Sequence, residues 1–214
     1  MLLTFTKKEE RLFKKLNTPA KVQDFLNTIP INYEVDGIDR LKSPVMVLRD
    51  GSAHCIEAAI LGAYILSTHG YKPLVLHLET TKEDFEHVIA PFQGEHKLWG
   101  ALSKTNHAIL RYRDPVYKSI RELVMSYFHE YTMDNGVKTL RKYSYPLDLS
   151  EFGKDWMLEK NDLWGIDQEL GKMVHYDIMP KDVVGNLRKT DPIERKMLQS
   201  VEWKAPKARK AKKD

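Results

Sequence analysis

One cysteine and eight histidines are the chain's candidates for nucleophilic chemistry. Cys55 follows Arg49-Asp50-Gly51-Ser52-Ala53-His54 and opens the run Ile56-Glu57-Ala58-Ala59-Ile60-Leu61-Gly62-Ala63-Tyr64-Ile65-Leu66. A turn followed by an apolar stretch reads as a helix start, with Ser52 the expected N-cap and Cys55 in the first turn. Unpaired amides and the helix dipole concentrate positive potential there, so a thiol becomes a thiolate more easily. A free cysteine titrates near ~8.5, and such a position beside an imidazolium can lower that by several units. The competing expectation is structural, since free cysteines commonly serve as small apolar fillers.

Thiol catalysis also needs an imidazole to hold and deliver the proton, and a third group to orient that imidazole. His87, opening the segment His87-Val88-Ile89-Ala90-Pro91-Phe92, is the expected base, because a sheet edge there can face the helix start. His107, in Asn106-His107-Ala108, is its rival. His54, next to Cys55, points about 100° around the helix and is a poor proton acceptor for the thiol, so it is assigned to the pocket.

The elements that would position these groups are legible in part. Residues 7–17 read as a helix with Leu12, Phe13 and Leu16 on one side, and Thr18-Pro19 opens a second through Val22, Phe25 and Leu26. Pro30 and the Asp36-Gly37 turn signal make the stretch from Asn27 to Ser43 irregular. The Cys55 helix should end at His69-Gly70. Strands are expected at Leu74 to Glu79, at His87 to Phe92 and, after a hairpin at Gln93-Gly94-Glu95, at Lys97 to Lys104. A fourth strand is expected at His107 to Arg113, with Asp114-Pro115 capping a helix from Val116 to about Tyr131. Thr139 to Tyr145 reads as strand or short helix, and Leu147, Leu149, Trp156, Leu158, Trp164 and Ile166 as an arm over the body. A helix followed by a meander is an α+β signature. The organisation expected is a helical flank (1–43), a core (44–150), an arm (151–203) and a basic disordered tail (204–214).

Composition sets the outer bounds. Of the 214 residues, 42% are hydrophobic and 30% charged, which is ordinary for a soluble protein. One cysteine excludes an internal disulfide framework and a thiolate zinc site of the usual kind. The early lysines and the lack of any long apolar run fit a cytoplasmic chain with no membrane contact. The net charge of +4 is concentrated in residues 204–214, and nucleic-acid binding is not expected beyond whatever that tail contributes. There is no glycine-rich phosphate loop, no dinucleotide fingerprint and no His-x-x-x-His spacing.

Gly51-x-x-x-Cys55 entering a helix of small apolar residues, the Gly70 turn, a strand, His87-Val88 and a hairpin with Trp99 together resemble the core of the transglutaminase-like superfamily, which has a papain-like fold. More narrowly, Arg49 to Ala59, Trp99 to Asn106, Leu110 to Tyr117 and Arg121 to Phe128 are similar to a group of bacterial members. The resemblance spans roughly residues 40–150. It implies Cys55 as nucleophile and His87 as base, in an enzyme that acylates its thiol from a peptide or protein amide and passes the acyl group to water or an amine without a metal or other cofactor. It further implies that Trp99 walls the thiol pocket. The superfamily usually has an aspartate about four residues after that tryptophan, where this chain has Ser103, followed by Lys104. Ser103, with Trp99 and His54, is therefore assigned to the substrate pocket, and Asn106, through its amide oxygen, to the orienting role. The alternative is a catalytically inactive binding or scaffold module on the same fold. Oligomeric state is left open.

Overall fold

A computed structural model describes residues 3–34 and 37–205. Most of the tail expected to be disordered, and Asp36 of the expected turn, lie outside the described residues. Four helices come first: α1 (Lys7–Lys15), α2 (Pro19–Thr28), α3 (Pro44–Asp50) and α4 (Cys55–Ser67). The strands β1 (Leu74–Thr80), β2 (His87–Gln93), β3 (Trp99–Leu102) and β4 (Arg113–Tyr117) come next, then α5 (Ile120–Met125), β5 (Leu140–Ser144) and β6 (Leu147–Asp148). The chain continues with α6 (Trp164–Lys172), β7 (His175–Asp177) and α7 (Pro192–Gln199).

Local chemistry accounts for the helix starts. Thr6 and Glu9 form a reciprocal capping box on α1. Thr18 caps α2, with Pro19 at the first helical position, where its missing N–H costs nothing. Pro30 lies just beyond the end of α2, where it cannot donate to a continuing helix.

All strand pairings are antiparallel, in the order β4-β3-β2-β1-β5-β7, with β6 also paired to β1. β1 to β4 form the expected meander, and the α+β class holds. The alternation of side chains divides the core between the two faces of the sheet. Val75, Val88, Ala90, Phe92 and Leu102 pack with α4, α1 and α2. Leu76, Leu78, Ile89 and Ala101 pack with α5 and the turns after it through Leu123, Val124, Tyr127 and Tyr131. Leu149, Trp156, Leu163 and Ile166 join the first cluster, so the segment after β6 closes over α4. Among the described residues no helix is long and apolar enough to cross a membrane.

α4 is buried on almost every side. Each fully buried Ile or Leu on it contributes roughly 1.5–3 kcal/mol by leaving water. Its close approach to the sheet depends on Gly62, where a Cβ would lie 2.7 Å from Leu102 Cδ1 and 3.1 Å from Leu26 Cδ1. α4 also packs against β2, and the first residues of the two elements, Cys55 and His87, line one pocket.

Two expectations require correction. Residues 107–112 form an irregular loop, and the strand begins only at Arg113. Asp114-Pro115 therefore lies inside β4 instead of capping a helix. Pro115 is tolerated because β4 is the last strand of the sheet, where a missing N–H breaks no inner ladder. The helix starts later, at Ile120, with the Ser119 hydroxyl accepting from the Glu122 amide.

Candidate active site

The residue before Cys55 is the N-cap of α4: His54 holds extended backbone angles and Cys55 is the first helical residue. Ser52, the expected cap, instead accepts from the Lys42 ammonium through both its carbonyl and its hydroxyl. Glu57 takes over the capping work one turn in. Its carboxylate is fully buried and accepts from the His54 amide at 3.0 Å and the Lys42 amide at 2.9 Å. Desolvation raises the Glu57 pKa, while the neighbouring His54 and Lys42 oppose that rise. The amides of Cys55 and Ile56 are first-turn donors without intrahelical acceptors. Together with the Val88 backbone of β2 they favour the thiolate of Cys55.

His87 is buried at the first position of β2, and its ring is held by a chain of hydrogen bonds. Nε2 lies 2.8 Å from Ser103 Oγ. The single proton of that hydroxyl is committed to the Leu110 carbonyl. Ser103 Oγ must therefore accept, Nε2 must carry the ring proton, and Nδ1 is left as the acceptor. Leu110 is itself fixed: its amide donates to Glu130 at 2.6 Å, and Glu130 is paired with Arg113 at 2.6 Å. Leu110 adopts φ +57°, an unusual angle for a branched side chain that this pairing holds in place. From the other side, buried Gln23 of α2 accepts from the Ser103 amide and donates to the Ser103 carbonyl, both at 2.9 Å. The N-terminal helices thus lock the backbone of the residue that orients His87.

Burial dominates the electrostatics of the pair. Desolvation pushes the His87 pKa down to about 4, with a smaller push from His77. It pushes the Cys55 thiol up, the charge of Glu57 adding to the rise, against stabilisation from the backbone of Val88, Ile56 and Cys55 itself. The resting state at neutral pH is therefore neutral thiol and neutral imidazole. The sequence led to the expectation of a depressed thiol; the correction comes from the partial burial of the thiol at a helix start packed against protein, which costs the thiolate hydration.

Cys55, His87 and His54 line one pocket of about 450 Å³, with Ile31, Phe85, Ile109, Tyr131 and Leu198 among its apolar walls. Lys104, also in its lining, is fully buried and donates to the carbonyls of Leu26 (2.9 Å) and Ile29 at the end of α2. Desolvation lowers its pKa to about 8. One side of the pocket is closed by residues 198–203. Leu198 lines the cavity, its carbonyl meets His107 Nδ1, and the Ala108 amide donates to the Ser200 carbonyl. His107 and Val201 pair as an antiparallel bridge.

This strap engages two of the residues singled out in the sequence. Asn106 donates to the Tyr33 hydroxyl and the Trp203 carbonyl, both at 2.9 Å, and accepts from the Trp203 amide at 2.8 Å. Its amide is spent on the strap, and the group bonded to His87 is Ser103. His107 lines the pocket but is likewise engaged with the strap, so of the two rival bases only His87 has the buried, oriented ring.

Trp99 lies elsewhere: it borders a separate cavity of about 920 Å³ with Phe92, Tyr71 and Tyr143, and does not wall the thiol. Arg113 stacks over the Tyr127 ring at 4.1 Å. Gln23, Glu130, Tyr131 and the strap carried no sequence signal, because each acts through long-range contacts. Among the described residues, Glu34, Asp39 and His54 are the cluster whose ligand atoms could converge on a cation. His54 Nε2 is already engaged there by Glu34 (3.3 Å) and the Arg40 carbonyl (3.0 Å).

The chain matches no family model and no curated protein.

Proposed function

We propose that the protein is a thiol-dependent acyltransferase or amide hydrolase in which Cys55 is the nucleophile and His87 the base. The observation that carries the reading is the tautomer forced on His87. With Nε2–H donated to Ser103, Nδ1 is the ring's free acceptor in the pocket that also holds the thiol. A neutral imidazole that lines the pocket with its acceptor open is poised for general-base work, since it is deprotonated at any pH well above about 4.

In the proposed reaction Cys55 Sγ attacks the substrate carbonyl carbon as its proton passes to His87 Nδ1. The tetrahedral intermediate collapses with cleavage of the carbon–nitrogen bond, and His87 returns the proton to the departing amine. A water molecule or a second amine then attacks the thioester and gives its proton to His87. The acid or new amide leaves as the thiol is re-formed. The backbone amides of Cys55 and Ile56, at the start of α4, are suited to receive developing negative charge. The resemblance to transglutaminase-like, papain-fold proteins supports the same assignment and points to a peptide or protein amide as the acyl donor.

A second reading, an inactive binding module, draws on the raised thiol pKa. The two separate on an activated ester. With p-nitrophenyl acetate the enzyme reading predicts a burst of p-nitrophenol that disappears in Cys55→Ala and slows by about 10²-fold or more in His87→Ala. Equal release from wild type and Cys55→Ala would leave the binding module.

A further inference from the structure

Among the described residues, two buried side-chain polar atoms have no hydrogen-bond partner, the Tyr131 hydroxyl and Trp203 Nε1. Both belong to the surroundings of the thiol pocket. Tyr131 lines it directly, and the Trp203 backbone is bound by Asn106 and Tyr33, which line it too. Tyr131 is only 2% exposed, so no bulk water compensates its hydroxyl. A buried donor left unpaired costs about 1–3 kcal/mol, and such a cost in a well-packed wall calls for a partner that arrives later.

Tyr131 is held firmly. It lies after the turns that succeed α5, and its ring packs with Tyr127, Leu140 and Ile178 on the second face of the sheet. The preceding residue, Glu130, anchors Leu110 and Arg113, so the same turn that fixes the His87 support also fixes Tyr131. Its backbone is tied in both directions, the Tyr131 amide donating to the Tyr127 carbonyl and its carbonyl accepting from the Thr139 amide. Burial, and after it any negative charge on the Cys55 thiol, makes the phenol harder to ionise and keeps it a donor.

Resting on the Cys55–His87 reading, we infer that the Tyr131 hydroxyl donates a hydrogen bond to the oxyanion that forms when the thiol adds to a carbonyl, acting with the first-turn amides of α4. This sets the substrate class: a carbonyl whose oxygen becomes negative on attack, such as an amide, an ester or a thioester. An alkyl halide develops no such oxygen and gains nothing from the hydroxyl.

The contrast supplies the test. Wild type, Tyr131→Phe, Cys55→Ala and His87→Ala, all as full-length chains, are acylated with p-nitrophenyl acetate and, separately, alkylated with iodoacetamide, with thermal midpoints recorded in parallel. Tyr131→Phe removes one oxygen and no packing. Its acylation is expected to fall by about 10²-fold, while alkylation stays within about twofold and the thermal midpoint is unchanged or higher. Unchanged acylation in Tyr131→Phe overturns the inference, as does a parallel loss of alkylation, which would mean that the hydroxyl merely positions the thiol. A marked drop in thermal midpoint also overturns it, because the hydroxyl would then be bonded in the resting protein. Failure of the underlying reading looks different: Cys55→Ala would be acylated as fast as wild type.

Discussion

The depressed basicity of His87 has a thermodynamic counterpart that can be measured without any substrate. The folded protein holds this imidazole neutral down to about 4, whereas in the unfolded chain it titrates near its ordinary ~6.5. A folded pKa lowered below the unfolded one contributes stability that is complete above ~6.5 and is lost as pH falls toward about 4. At about pH 4.5 the unfolded imidazole is almost fully protonated and the folded one mostly is not, which costs roughly 2.5 kcal/mol. His87→Gln keeps a side-chain N–H for Ser103 and cannot titrate. Urea unfolding of both proteins at about pH 7.5 and about pH 4.5 isolates the imidazole, because other titrating groups lose stability in both. The wild type should lose roughly 2–3 kcal/mol more than His87→Gln between the two conditions. Equal losses would mean that His87 titrates in the fold as it does in the unfolded chain, and the claim that the fold holds this imidazole neutral would have to be abandoned.

The support and the lining of the site make further claims. Gln23→Leu strands the buried amide and carbonyl of Ser103, so stability should fall by about 2 kcal/mol or more in urea unfolding, and p-nitrophenyl acetate acylation should slow with it. Lys104, lowered to about 8, is neutral in the folded protein above that value but charged when unfolded up to its ordinary range. Wild-type stability should therefore rise between about pH 8 and about pH 10, and Lys104→Met should lack that rise when the two are compared by urea unfolding. Asn106→Ala removes the two hydrogen bonds that hold Trp203 of the strap and a third to the Tyr33 hydroxyl. The amides of Ala108, Glu202 and Trp203 should then exchange faster, and a bulky maleimide should label Cys55 about tenfold faster, an opening worth ~1.4 kcal/mol.

The parts of this arrangement that rest on local chemistry were readable from the chain. The apolar run after Cys55, the Thr18-Pro19 start, the alternation in β1 and the Gln93 to Glu95 hairpin each reflect propensity, capping or turn preference, and they place Cys55 and His87 on adjoining elements. The tryptophan hairpin misled, because Trp99 sits on β3 with its side chain toward a different cavity. Asp114-Pro115 carries the same letters as a helix start, and only the pairing of Arg113 with Ala101 and of Tyr117 with Trp99 turns it into strand. The identity of the third group is a tertiary fact. Ser103 reaches His87 because β2 and β3 run side by side, and it accepts the ring proton only because the Leu110 carbonyl, held through Glu130, takes its own. No local pattern encodes a chain of that length. The same holds for the strap, where residues almost a hundred positions after Asn106 return to occupy its amide. The thiol pKa inverted for a similar reason: the helix start favours a thiolate, but tertiary packing takes away part of the hydration that would make it cheap.

The most direct test of the central claim is to find the acyl group. Protein treated briefly with p-nitrophenyl acetate, quenched in acid and mapped by peptide mass spectrometry should carry one acetyl thioester, on Cys55. The adduct should be absent in Cys55→Ala and form far more slowly in His87→Ala. Acetylation spread over surface lysines with Cys55 unmodified, or a Cys55 adduct that forms at the same rate without His87, would contradict the account.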